Sequence, residues 1–316
     1  MTAFLVVRPG LQTTIQDEGR WGWQSRGVSV AGAMDPYSFR VANALVGNNA
    51  DAAALEMAFV GPELEFEAAR MVAVAGAEFS LSVDGRAVQM GGAFPVSAGS
   101  RLRFGDRVGG VRAYLAIAGG IDVPEVLGSR STHIGSRMGG LAGRALVAGD
   151  RVPLGDPAKA RKVRLEGQLV SRPRISAGAP RVRILPDARI DRFADVSLQE
   201  LQSMPYTIGR LSDRMGFRLE GRRLQHRHGA DILSEITPLG SVQVPASGQP
   251  ILLMADRQTS GGYARIATVI SADIGVAGQL GPDDRISFAA CTLREALAAR
   301  VAQERELMAI EARARQ

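Results

Sequence analysis

The sequence predicts a mainly β protein made of two similar barrel units, a few short helices and a C-terminal helix. Three observations carry that expectation. Short apolar runs bounded by Gly, Asp or Pro recur along the chain, the pattern of strands and turns. Glycine (37) and proline (15) are frequent while aromatic residues make up only 5%, which suits a barrel better than a helical bundle. Finally, four matches recur in the same order in the two halves. Ser38-x-Arg40 with Gly47 is answered by Ser212-x-Arg214 with Gly221, and Glu56 with Gly61 by Glu235 with Gly240. Residues 110–119 are answered by 262–271, and 149–154 by 283–288. Two like barrels with few exposed edges, over 1–160 and 161–290, are the economical interpretation, with 291–316 as a terminal helix.

Residues 4–8 read as the first strand, and Thr13 to Arg20 as a polar turn. Asp35-Pro36 opens a helix, since Asp caps well and Pro suits the first helical position. Phe39, Ala42, Leu45 and Val46 form its apolar face, and Gly47-Asn48 supplies a left-handed stop. The signal from Leu64 to Ser82 is β, with Asp84-Gly85 as a tight hairpin turn. Further strands are expected near 101–105, 111–118, 144–148 and 151–154. Gly155 to Arg161 reads as a linker, and a second β series begins near Arg181. Ser197-x-x-Glu200 is a capping box for a helix that must end before Pro205. Thr292-x-x-Glu295 caps the longest helical run, whose stripe Leu293, Leu297 and Val301 is expected to pack on the body.

Composition narrows the classes of function. Of 38 basic residues only Lys159 and Lys162 are lysines, and the net charge is +6. The arginines are scattered among carboxylates without aromatic interleaving, which argues against nucleic-acid binding. No apolar run is long enough to span a bilayer. The N-terminus lacks a basic n-region and cleavage site, so no signal peptide is expected. A lone cysteine, Cys291, agrees with a reducing cytoplasm.

Standard motifs mostly fail. There is no G-x-x-x-x-G-K-[ST] and no G-x-S-x-G. His226-x-His228 lies among Arg222, Arg223 and Arg227, which would repel a divalent ion, so no metal is expected. The glycine-rich stretch 135–143 reads as a mobile surface loop. What stands out is Pro250 to Tyr263 leading into 264–271: a buried strand, a polar turn with two glycines, then a second strand. Asp256, Gln258, Thr259 and Tyr263 offer a carboxylate, an amide, a hydroxyl and a phenol, and Gly261-Gly262 admits close approach to the backbone. Gln16, Asp17 and Arg20 share another turn, and Asp35 and Asn43 sit on the first helix. Such groups suit an amide substrate, because carboxylates and amides pair reciprocally with N–H and C=O. Asp35 also reads simply as a helix cap.

At these residues the chain resembles a known family. Gly10-Leu-Gln-Thr-Thr-Ile-Gln-Asp-x-Gly-Arg20, Gly32-Ala-Met-Asp35, Ala42-Asn-x-Leu-Val-Gly-Asn48 and Leu55-Glu56 occur in order. They are followed by Ser212-Asp-Arg-Met-Gly, Gln243-Val-Pro and Asp256-x-Gln-Thr-x-Gly-Gly-Tyr263. Together they resemble the biotin-dependent carboxyltransferase family, also called allophanate hydrolase subunit 2, which includes the C subunit of bacterial 5-oxoprolinase. The resemblance implies tandem cyclophilin-like β-barrels. It also implies a B subunit (allophanate hydrolase subunit 1-like) and an A subunit as partners in ATP-driven opening of 5-oxoproline to glutamate. Two alternatives stay open: the carboxyltransferase component of a urea carboxylase, and a non-catalytic partner that sequesters a subunit-1-like kinase inhibitor. Biotin belongs only to the first alternative, and neither lysine context looks like a biotinyl site. ATP is used by the complex, its binding chain unassigned. The expected catalytic residues are Asp256, Tyr263 and Asp17. Arg20, Asp35, Asn43, Arg214, Gln258, Thr259, Gly261 and Gly262 are expected to bind substrate.

Overall fold

The computed structural model describes residues 2–163 and 178–315, so the opening of the expected second unit, 164–177, lies outside the described residues. Residues 2–20, 31–163 and 304–315 make one compact unit, and 21–30 and 178–303 the other. The helices are α1 (Pro36–Leu45), α2 (Ser197–Ser203), α3 (Ile274–Gly278) and α4 (Leu293–Arg315). The protein is mainly β, as predicted.

In the first unit the strands are β1 (Ala3–Arg8), β2 (Gln12–Gln16), β3 (Ala54–Ala58), β4 (Glu63–Phe66), β5 (Arg70–Val83), β6 (Arg86–Val88), β7 (Ala93–Val96), β8 (Arg101–Ile117) and β9 (Arg151–Pro153). They form one sheet, ordered β2-β3-β8-β4-β1-β9, with β5 pairing β6, β7 and β8. The expected pair of strands at 101–105 and 111–118 is one 17-residue strand. It runs through Gly109-Gly110 because β5 pairs along it and absorbs the irregularity in bulges. Thr13 to Gln16, expected as a turn, belongs to strand β2, held by pairing with β3 from Gln12↔Ala58 to Gln16↔Ala54. Residues 144–148 form no strand, although Leu146 N–H bonds Thr13 O. The two-residue turn at Asp84-Gly85 forms as predicted, both residues at positive φ. The expected linker, Gly155 to Arg161, contains a short 3-10 turn, Pro157–Lys159. It is tied down by Gly155 N–H to Gly120 O and Arg161 N–H to Gly47 O.

Helix α1 follows from its cap. Asp35 accepts from Ser38 N–H (3.1 Å) and Ser38 Oγ–H (2.6 Å), and Gly47 at φ +74° lies just beyond its end. Phe39 packs edge-on against Tyr114, with ring centroids 6.1 Å apart. Leu307 and Ile310 of α4 complete that cluster, and Glu304 pairs with Arg40 through two bonds of 2.8 and 2.9 Å.

The second unit contains a closed barrel, in the order β10-β17-β14-β15-β12-β11-β18. These strands are β10 (Arg181–Pro186), β11 (Tyr206–Ile208), β12 (Gly216–Glu220), β14 (Ser241–Gln243), β15 (Ile251–Leu253), β17 (Arg265–Val269) and β18 (Arg285–Ala290). A separate two-stranded ribbon pairs β13 (Asp231–Ile236) with β16 (Ser260–Tyr263). Ile184, Ile208, Phe217, Leu252 and Phe288 are among the buried residues of the barrel strands. The ladder closes through a parallel pair, β10 with β18, while the other barrel pairs are antiparallel.

Several local expectations fail here. The expected polar turn between the two strands contains a strand of its own, β16, and the flanking β15 and β17 do not pair, because β14 lies between them. Ser197 does not cap α2; its hydroxyl donates to Gln225 O, and Glu200 instead binds Arg222. In α4 the capping box does form, with Thr292 N–H to Glu295 at 2.7 Å and Glu295 N–H to Thr292 Oγ1 at 3.2 Å. Its stripe does not pack: Leu293, Leu297 and Val301 are 63, 59 and 50% exposed. Ala296 is the buried residue on that stretch, against Ile270 and Ala272. One internal match also dissolves, since 38–47 is mostly helix and 212–221 is a turn followed by β12.

Candidate functional site

In the first unit the expected site residues hold loops together. The Asp17 carboxylate accepts from Gly19 N–H (2.8 Å), Ser129 Oγ–H (2.6 Å), Ser131 Oγ–H and Arg130 N–H. Arg20 is fully buried, its guanidinium donating to Val126 O (3.4 Å) and Ser131 O. Within stretch 135–143, Gly139 packs on this knot, while residues 135–137 are exposed as a surface loop would be. A Cβ on Gly139 would lie 2.1 Å from Ser131 O and 2.6 Å from the Arg20 guanidinium. Asp35 caps α1, and its N–H donates to Tyr114 Oη, which in turn donates to Glu56. Asn43 Nδ2 donates to Ala52 O, and its oxygen accepts from Asn48. Gln16 donates to Thr14 Oγ1 and Thr132 O.

In the second unit the polar groups gather around one turn. Asp256 and Arg214 are both buried and meet through two parallel bonds of 3.0 Å, from Nε and Nη2. That fork satisfies the two charges mutually and fixes the turn that follows. Thr237 stitches the turn together: its N–H bonds Thr259 O, its hydroxyl bonds Gln258 O, and its carbonyl accepts from Arg257 Nε at 2.8 Å. Ser29, from the N-terminal segment counted in this unit, donates to Arg257 O at 3.0 Å.

Two amides lie beside Thr237. Gln243, the last residue of β14, is 3% exposed. Its Nε2 reaches Tyr263 O only at 3.4 Å, and its Oε1 accepts from Gln258 Nε2 only at 3.4 Å. Bonds this long are readily exchanged for better ones to a ligand. Gly261 is not a turn glycine but lies within β16, paired with Glu235. Its need is space, since a Cβ there would lie 2.8 Å from Gln243 Nε2 and 3.1 Å from Gln258 Nε2. Tyr263, at the end of the ribbon, is 42% exposed.

Arg257 is buried and its pKa is pushed down to about 10 by burial. Arg257, Thr237 and Gln243 were not among the residues expected at a site. Arg257 sits in the chain between two that were, and Gln243 opens one of the quoted motifs. Thr237 carried no signal, because its role depends on a carbonyl and a hydroxyl meeting a turn 20 residues away. Among the described residues no cluster of His, Cys, Asp and Glu suits a metal ion. Nor is any helix among them long and apolar enough to cross a membrane.

The class of protein that goes with these β units is a carboxyltransferase domain. Residues 26–290 match the family model described as carboxyltransferase domain, subdomain A and B, and the chain belongs to that family. It is 42% identical over 300 residues to the C subunit of the Escherichia coli 5-oxoprolinase, covering 95% of each chain. To the corresponding subunit of Haemophilus influenzae it is 36% identical, covering 90% of each. The crystal structure of the Kluyveromyces lactis urea carboxylase superposes with a TM-score of 0.91 at 31% identity. That match covers 98% of this chain but only 29% of the larger enzyme.

Proposed function

We propose that this chain is the C subunit of an ATP-dependent 5-oxoprolinase. In this reading it acts in the cytoplasm with an A and a B subunit to open 5-oxoproline to glutamate. The observation that carries it is full-length similarity to the C subunit of a 5-oxoprolinase, over 95% of each chain. The urea enzymes are matched over only 20 and 29% of their length.

The chain's own share of the reaction is to bind and orient a cyclic amide. Gln243 and Gln258 offer donor and acceptor edges to its C=O and N–H, the complement a planar amide requires. Thr237 and the Asp256–Arg214 fork hold those edges in place, an arrangement that lowers the cost of ordering a reactive geometry. Asp17, Arg20, Asp35 and Asn43 then act as positioning residues within the first unit. Tyr263, whose carbonyl accepts from Gln243, lies at the end of the same ribbon. ATP would supply the phosphoryl group that makes the amide carbonyl electrophilic. The described residues do not fit ATP: no phosphate-binding loop occurs, and both lysines lie exposed at 159 and 162. We therefore assign ATP to the assembled complex.

A second reading, the carboxyltransferase component of a urea carboxylase, is favoured by the 0.91 superposition. The deciding experiment mixes the purified chain with its cognate A and B subunits, ATP and 5-oxoproline, and measures glutamate. Glutamate formed only when all components are present is the expected result. Carboxylation of urea with a co-purifying biotin carrier would replace this reading with the second. A tight binary complex without either product would mark a non-catalytic partner instead.

A further inference from the structure

A guanidinium carries its charge at neutral pH, so burying one without a counter-ion is costly. Arg214 shows the usual solution, since its charge is met by Asp256. Arg257 is nearly as buried, 7% exposed against 5%. Yet the adjacent Asp256 carboxylate is already engaged, and no carboxylate among the described residues pairs with Arg257. Burial pushes its pKa down. Its Nε is held by Thr237 O, which fixes the plane of the group. The two terminal amino groups make no hydrogen bond to any described residue, leaving one edge of the fork vacant. Thr237 places that fork in the same cluster as the Gln243–Gln258 amide pair and Gly261.

Resting on the reading above, we propose that Arg257 receives the carboxylate of the substrate and so makes this site selective for an anionic cyclic amide over a neutral one. A carboxylate matches the vacant edge with two parallel bonds. 5-Oxoproline carries that carboxylate on the carbon next to its ring N–H, so one small molecule meets both the fork and an amide edge. Urea has an amide but no anion, and would leave the charge of Arg257 uncompensated.

The test measures equilibrium binding to the assembled complex by calorimetry, using 5-oxoproline, 2-pyrrolidinone (the same ring without the carboxylate) and inorganic phosphate. Wild type should bind 5-oxoproline at least about 10-fold more tightly than 2-pyrrolidinone, the scale of charge-assisted hydrogen bonds. Arg257→Met should weaken 5-oxoproline binding by about 10- to 100-fold on the same scale, and leave 2-pyrrolidinone unchanged. Arg257→Lys should recover part of the loss, as a point charge without a fork. The melting temperature of Arg257→Met should stay close to wild type, because removal of the uncompensated charge offsets the lost bond from Nε to Thr237 O. Equal losses for both ring ligands, or a lower melting temperature with unchanged binding, would overturn the proposal and make Arg257 structural. So would tighter binding of phosphate than of 5-oxoproline at the same residue, or no 5-oxoproline binding to wild type. The two readings fail separately. Arg257-dependent binding without glutamate production sinks only the assigned activity, and glutamate production indifferent to Arg257→Met sinks only the carboxylate seat.

Discussion

Asp256 and Arg214 show why a residue picked for chemistry has to be judged with its partner. Asp256 was expected in catalysis and Arg214 on substrate, but each is the other's counter-ion in a buried fork. Asp256→Asn should therefore destabilise the chain by about 3–5 kcal/mol, because it breaks a buried, bidentate charge pair. The double change Asp256→Leu with Arg214→Met should cost less than that single one. Urea unfolding of the two variants beside wild type decides it: a single variant as stable as wild type would mean that the fork does not hold the turn. Buried phenols give a second prediction at this scale. Burial, then the charges of Glu56 and Asp35, hold the Tyr114 pKa well above its ordinary 10.0. Burial, with Glu200 adding, pushes Tyr206 up to about 12. A raised phenol pKa favours the neutral form in the fold. Its stabilisation is thus complete below the unfolded value, near 10, and is lost as pH rises through the folded one. In an ultraviolet titration, at least two of the four tyrosines should stay un-ionised at about pH 11 until unfolding begins.

Helix α4 was legible at its start and misleading along its face. Thr292 and Glu295 lie within four residues of local sequence, and their reciprocal bonds need nothing from elsewhere. Thr292→Ala should cost about 1 kcal/mol in urea unfolding. The stripe Leu293, Leu297 and Val301 had helical spacing, but spacing cannot say what lies opposite. Because these side chains are exposed, Leu297→Gln should change stability by less than about 0.5 kcal/mol. Leu307, buried against α1, should cost about 2–5 kcal/mol on truncation to Ala. A larger loss at Leu297 than at Leu307 would reverse this assignment of faces.

For the whole molecule, the units are not consecutive in the chain. Residues 304–315 belong with the first unit and 21–30 with the second. A fragment ending at residue 160 lacks Leu307 and Ile310, so a peptide of residues 304–315 added in trans should raise its urea midpoint. No change would show that the α1 cluster is complete without the terminal helix. Composition, strand alternation and turn residues were enough to establish a mainly β chain, the caps of α1 and α4, and the hairpin at Asp84-Gly85. Each of these depends on neighbours within a few residues. The barrel order, with β14 between β15 and β17, and the polar cluster around Thr237 were decided only by tertiary structure. Strand partners and buried charges are chosen by residues tens of positions away, and one sequence read along its length carries no signal for which distant carbonyl, amide or carboxylate will meet them.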